Sequence, residues 1–229
     1  EMHLKRNSEE EIWDYVKDEF DVAISLLPED AAARGRANKY AAAGIKARAM
    51  LYAGCVAKYN DAVQYLYEDN RRTCGMPRER AKDFFAEAYK AASMVQKSNK
   101  YWLYKEGWDA TDKEKQYKNY VDLFFDAGSS ENILVKQYLY PSSVHGYDAY
   151  NIARQFMGPD GYTSGINATL DFVEMFEIPE LDRDGDGHIV TLRADGKYRL
   201  FADILDPFKD AEPRLRGAVV FAGELQKGD

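Results

Sequence analysis

The chain has 229 residues, of which 45 % are hydrophobic and 31 % charged, and its formal net charge is −8. This length is enough for one large domain or two small ones. The acidic balance argues against nucleic-acid binding, which requires a basic surface. No run approaches the about 20 apolar residues of a membrane-spanning helix. No signal peptide is present, so any targeting segment is expected outside this sequence.

The first predicted helix begins after a capping box at Ser8 to Glu11. In such a box the Ser hydroxyl and the Glu three residues later satisfy each other's open backbone donors. Apolar residues at helical spacing follow from Ile12 to Leu27, and Pro28 ends the helix.

The second predicted helix runs from its capping residue Asn38 to about Ala57. Small side chains on this helix let neighbouring backbones approach closely. They are Ala41, Ala42, Ala43, Gly44, Ala47 and Ala49.

The polar, tyrosine-rich stretch from Asn60 to Pro77 is predicted to be a loop with a short helix, and a third helix then extends to about Lys97. The stripes of the three helices fit tetratricopeptide-repeat packing, in which slim residues, aromatics and Ala meet across a hairpin. A generic helical bundle explains the same stripes.

The second half predicts shorter and more irregular elements. They are a helix from Gln116 to Asp126, a strand from Asn132 to Tyr140, a loop from Pro141 to Gly165, a helix from Ala168 to Glu177 capped by Asn167, and strands near His188 to Arg193 and Tyr198 to Ala202.

Several segments, in this order, resemble the SusD/RagB family of nutrient-binding lipoproteins. They are Ser8 to Ile12, Gly35 to Ala53, Phe85 to Ala92, Asn99 to Leu103, Tyr120 to Phe124, Glu131 to Leu134, Asn167 to Glu177 and Asp210 to Leu215. The last segment departs from the family at Ala211-Glu212, where Arg-Asp usually precedes the Pro.

The resemblance implies a mainly α fold of tetratricopeptide-like hairpins, with an irregular loop-rich region and a few short strands. It divides the chain into a helical region, residues 1–127, and an irregular ligand-binding region, residues 128–229, of one SusD-like domain that continues at both ends. It further implies non-catalytic capture of oligosaccharides at the bacterial outer membrane. The protein would be lipid-anchored through a segment outside this chain and would deliver to a SusC-like TonB-dependent transporter.

The stretch Asp182 to Ile189 has the pattern of the first half of an EF-hand-type calcium loop. Calcium would take oxygens from Asp182, Asp184 and Asp186 and from the backbone carbonyl of His188. Arg193 stands where the closing bidentate Glu is expected. A solvated acidic turn is the alternative.

Exposed aromatic residues on loops suit sugar recognition, because they offer a flat apolar face and a polar edge. Tyr147, Tyr150 and Arg154 are the favoured glycan-binding residues, whereas Trp13 and Trp102 are expected in the core. The other candidates in the loop-rich segment are Tyr138, Tyr140, His145, Asn151, Gln155 and Tyr162.

Two other function classes stay open. A helical-repeat scaffold that binds only protein would show the same helices, and a glycoside hydrolase would need only a carboxylate pair. The sequence has no nucleophile elbow, P-loop or dinucleotide fingerprint. Cys55 and Cys74 leave both a disulfide and free thiols open.

Overall fold

The protein is described by a computed structural model. The structure describes residues 6–62, 65–67, 70, 72–152, 165–176, 195–198, 200–206, 208 and 211–221, with the side chains of 148 and 149 excepted. The described helices are α1 (Glu9–Leu26), α2 (Lys39–Tyr59), α3 (Ala81–Lys97), α4 (Lys113–Phe125), α5 (Tyr147–Asn151), α6 (Leu170–Glu174) and α7 (Pro213–Ala218). Strands β1 (Tyr65–Leu66) and β2 (Arg72–Cys74) pair antiparallel, and a 3-10 turn, Arg78–Arg80, precedes α3. The predicted mainly α class is confirmed.

The predicted helix starts at Ser8 and Asn38 are confirmed by their hydrogen bonds. The Glu11 N–H donates to Ser8 Oγ at 3.2 Å, and the Ser8 N–H donates to Glu11 Oε2 at 2.8 Å. Asn38 accepts the Ala41 N–H at 2.8 Å and donates through Nδ2 to the Tyr101 hydroxyl at 3.0 Å. Both caps satisfy donors that a helix N-terminus leaves open.

Helices α2 and α3 pack closely, as the small residues of α2 predict. Ala53 and Ala57 are fully buried, and a Cβ on Gly54 would stand 2.5 Å from the Phe85 ring. Gly44 makes no such contact, because a Cβ there would meet no atom within 4 Å. The buried cluster along this seam is Met50, Ala53, Val56, Ala57, Met76, Ala81, Phe84 and Ala88.

A buried lysine connects the three long helices. Lys46 on α2 is 2 % exposed, and its Nζ donates to Asp21 Oδ1 on α1 at 2.7 Å and to Glu87 Oε2 on α3. Its ammonium lowers the pKa of Glu87 below the usual range. Burial raises the pKa of Asp21, but hydrogen bonds and charges from Lys46 and Lys17 outweigh it and lower that pKa overall.

Two of the predicted elements are wrong. The described part of 60–77 holds the β1–β2 hairpin and no helix, because Thr73 and Tyr65 pair there through side chain and backbone. Residues 132–140 form no strand and show only an isolated bridge between Leu139 and Ser143.

The helix predicted from Ala168 to Glu177 is shorter than expected, and its cap is a different residue. Thr169 Oγ1 accepts the Phe172 N–H at 3.2 Å, so the helix begins at Leu170 instead of after Asn167. Trp102 is 61 % exposed and not in the core, because the chain has left α3 there, whereas Trp13 does pack against the buried cluster.

The chain divides into two compact units. One comprises Glu1–Leu103 with Ser130–Gln137, and the other comprises Tyr104–Ser129 with Tyr138–Asp229. In the second unit α4 packs on α7, since a Cβ on Gly217 would lie 2.5 Å from the Tyr120 ring. These units reflect packing alone, so the division into residues 1–127 and 128–229 stays a prediction. Cys55 and Cys74 are free thiols.

Candidate functional site

A tight turn in the second unit exposes aromatic side chains. Leu139 and Ser143 exchange two backbone hydrogen bonds of 2.7 Å, which close the turn between them. The Tyr140 side chain within it is 85 % exposed. The turn therefore holds an aromatic residue out in solvent on a fixed backbone.

Three rings form a cluster around this turn, which we call the aromatic cluster. Tyr138 precedes the turn, and His145 and Tyr147 follow it. The Tyr138 and His145 ring centroids are 4.7 Å apart at 85°, and those of His145 and Tyr147 are 6.2 Å apart at 88°. These are edge-to-face contacts, which aromatic quadrupoles favour. Tyr138 is 44 % and Tyr147 65 % exposed, so both tyrosines keep surface for a ligand.

The position of Tyr147 is fixed by a backbone contact to the same cluster. Its N–H donates to His145 Nδ1 at 3.2 Å, at the first residue of α5. His145 is thus both a ring neighbour of Tyr147 and the acceptor of its backbone hydrogen bond.

Tyr150 lies one turn further along α5 and is packed against backbone. A Cβ on Gly146 would be 2.9 Å from its Cε2, and one on Gly165 would be 3.3 Å from its Cδ1. Its carbonyl accepts the Ile166 N–H at 3.1 Å. A side chain at Gly146 would clash with the Tyr150 ring and one at Gly165 would crowd it. Tyr150 therefore packs closely against both segments while half of its own surface remains exposed.

The structure therefore places two of the three predicted glycan-binding residues, Tyr147 and Tyr150, on one short exposed helix. Arg154 lies outside the described residues. Tyr138 and His145, which complete the cluster, were among the other predicted candidates and not among the three favoured residues. The Pro141 turn between them was the available signal, since a chain reversal brings residues on its two sides together.

The predicted calcium ligands Asp182, Asp184, Asp186 and His188 all lie outside the described residues, so calcium binding there stays a prediction. Among the residues that the structure does describe, no group of three or more His, Cys, Asp or Glu side chains is arranged to hold a metal ion. No described helix is long and apolar enough to cross a membrane.

The carboxyl groups with clear pKa shifts in the described part are shifted downward. Besides Asp21 and Glu87, the pKa of Asp109 is lowered to about 2, because the backbone N–H and hydroxyl of Thr111 and the Lys115 ammonium donate to it. A general acid requires the opposite shift, since it must hold its proton near neutral pH. These three carboxylates are therefore suited to capping and ion pairing.

The second unit also contains a cavity of about 270 Å³ between α4 and α7. Arg216 lies over the Tyr117 ring with its guanidinium carbon 4.2 Å from the centroid, and its Nη1 donates to Glu114 at 2.8 Å. This stacked ion pair connects the two helices at the cavity edge. The contacts of Arg216 with Tyr117 and Glu114 hold α4 and α7 together, which is a structural role.

Comparisons with protein-family models, with curated proteins and with solved structures find no match to this chain.

Proposed function

We propose that this protein is a SusD-like surface protein that captures oligosaccharides without breaking them. Its α1–α3 region serves as a tetratricopeptide-like scaffold, and its loop-rich region recognises the ligand. The close α2–α3 seam at Gly54 and Phe85 supports such a hairpin scaffold. The proposal rests on the sequence resemblance and on the surface described above.

The observation that carries the proposal is the aromatic cluster. A pyranose ring has an apolar C–H face, and an exposed tyrosine offers a flat apolar face with a hydroxyl at its edge. Tyr147 has 65 % of its surface exposed and a backbone fixed by His145. A rigid, exposed ring of this kind loses little conformational entropy when a sugar stacks on it.

The pKa values of the described carboxyl groups favour capture of the sugar without catalysis. Glycoside hydrolysis needs one carboxyl group whose pKa is raised beside a second carboxylate. The shifted carboxyl groups here have lowered pKa values and are bound to Lys or Thr donors. A glycoside hydrolase would require an acid–base pair other than these.

The same proposal includes a location and a protein partner. The protein would sit at the outer surface of the outer membrane, anchored through a lipid on a segment outside this chain. It would deliver the oligosaccharide to a SusC-like TonB-dependent transporter. Co-purification of such a transporter with the tagged protein from its native membrane would support this, and its absence from that preparation would count against it.

Calcium is proposed as a structural ion held by Asp182, Asp184, Asp186 and the His188 carbonyl. Hard cations prefer oxygen ligands of this type. Excess calcium should raise the melting temperature, and Asp184→Asn should remove that increase. An equal melting temperature in calcium and in chelator would contradict the calcium site and leave the glycan proposal untouched.

Affinity electrophoresis through gels containing individual polysaccharides, after a glycan-array screen, tests the function. We expect retardation by at least one polysaccharide and a loss of about tenfold in affinity for Tyr147→Ala, equivalent to about 1.4 kcal/mol. Tyr65→Ala is the matched control, because Tyr65 in the first unit is also 65 % exposed. Retardation by no polysaccharide, or equal loss in both variants, would overturn the proposal.

A further inference from the structure

The first unit carries an apolar groove on the α2–α3 hairpin, beside the buried cluster, with which it shares Ala88. Its volume is about 410 Å³, and it is lined by Ala47, Arg48, Leu51, Phe85, Ala88, Tyr89 and Ala92. Leu51 is 54 % and Tyr89 77 % exposed. Exposed large apolar side chains beside small alanine residues form a surface suited to a partner helix.

The residues of the groove follow helical spacing on both helices. On α2 the stripe continues from Leu51 to Lys58, seven residues later, and on α3 it begins at Lys82, seven residues before Tyr89. Residues three, four or seven apart lie on one helix face. The groove and these flanking positions therefore lie along one band of the two antiparallel helices.

The charges along this band all have one sign. Arg48, Lys58 and Lys82 are exposed. The remaining stripe positions are Gly44, Ala47, Leu51, Cys55, Phe85, Ala88, Tyr89, Ala92, Ser93 and Gln96. No acidic residue stands on either stripe, although the whole chain has a net charge of −8. The acidic residues of α3 lie elsewhere on the helix, where Glu87 binds Lys46 and Asp83 binds Arg80.

We propose that this groove docks an amphipathic helix of a partner protein whose apolar stripe is flanked by acidic residues. Leu or similar side chains at i, i+3, i+4 and i+7 would fill the space between Leu51 and Tyr89. Carboxylates at the edges of the partner helix would face Arg48, Lys58 and Lys82. The groove of a second copy is a poor occupant, because pairing it with itself would bring basic residues together. This site is independent of the aromatic cluster.

The test uses a fluorescent 18-residue peptide with Leu at i, i+3, i+4 and i+7 and Glu at the flanking positions. A second peptide has Lys in place of every Glu. Fluorescence anisotropy with the full chain should show binding of the Glu peptide at least tenfold tighter than that of the Lys peptide. This preference should shrink as salt rises from 50 to 500 mM, because exposed charges are screened.

Two variants assign the binding to the groove. Tyr89→Ser should weaken binding of the Glu peptide about tenfold, and Arg48→Glu should reduce the preference for the Glu peptide over the Lys peptide, because Lys58 and Lys82 remain. Tyr15→Ser on α1, where Tyr15 is 61 % exposed, is the control and should bind as the parent does. Circular dichroism verifies that each variant keeps its helix content.

Three results would overturn the proposal. One is equal binding, or no binding, of the two peptides. Another is an unchanged affinity in folded Tyr89→Ser. The third is concentration-dependent self-association in sedimentation that Tyr89→Ser abolishes, which would make a second copy the occupant.

Discussion

Replacing Lys46 by Met is expected to destabilise the helical unit by about 1–3 kcal/mol. The Lys46 side chain is 2 % exposed and binds Asp21 and Glu87. Removing one partner of a fully buried pair costs about 3–5 kcal/mol, because a charge is left without compensation. Asp21 is 46 % and Glu87 27 % exposed, so water reaches the remaining carboxylates and reduces this cost.

The measurement is urea unfolding followed by helical circular dichroism, in parallel with the melting temperature. A loss of 2 kcal/mol corresponds to about 4–8 °C for a chain of this size. Lys90→Met is the matched control, since Lys90 is 70 % exposed and lies 3.7 Å from the same Glu87. Such an exposed pair contributes about 0–1 kcal/mol.

The Lys46 reasoning would be refuted if Lys46→Met were as stable as the parent, or if Lys90→Met lost as much. The first result would show that the Lys46 ammonium adds nothing to the packing of its apolar stem, and the second would show that burial does not distinguish Lys46 from Lys90. Replacements of buried ion pairs by apolar residues are neutral in some proteins. Here a cost is expected because the substitution leaves the Asp21 and Glu87 carboxylates without the cation that they share.

Three further predictions concern stability. Gly54→Val should cost about 2 kcal/mol or more in urea unfolding, because its Cβ would meet the Phe85 ring at 2.5 Å; an unchanged midpoint would contradict the close packing. Ser8→Ala should cost about 1 kcal/mol through loss of the cap, and a cost below about 0.3 kcal/mol would show that the cap contributes little. The pKa values of Glu87 and Asp21 are lowered in the folded state. The two carboxylates therefore stabilise the folded protein fully above about pH 4.3, and this stabilisation is lost as pH falls through their folded-state pKa values. Glu87→Gln should therefore flatten the fall in melting temperature between neutral and acid pH, and an unchanged slope would contradict this assignment.

Local sequence signals predicted the long helices well. Ser8, Asn38 and Pro28 act through neighbouring backbone groups, so their effect is readable without knowing the fold. The small residues of α2 likewise indicated a close seam, which Gly54 and Phe85 form.

The wrong predictions concern segments whose structure depends on contacts with distant residues or on competition between neighbouring residues. At residues 167–169 two residues can cap a helix, and the backbone selected Thr169 over Asn167. Residues 132–140 have strand-like composition but find no described partner strand, and isolated propensity does not make a sheet. The clustering of Tyr138 with His145 depends on the chain reversal between them, which composition does not specify.

The most direct test of the central claim is isothermal titration with the oligosaccharide that the screen identifies, followed by chromatography of the recovered sugar. We expect saturable binding, a loss of about tenfold in affinity for Tyr147→Ala, and recovery of the sugar at its original length. Shortened products, or an affinity that is unchanged in Tyr147→Ala, would contradict capture by the aromatic cluster.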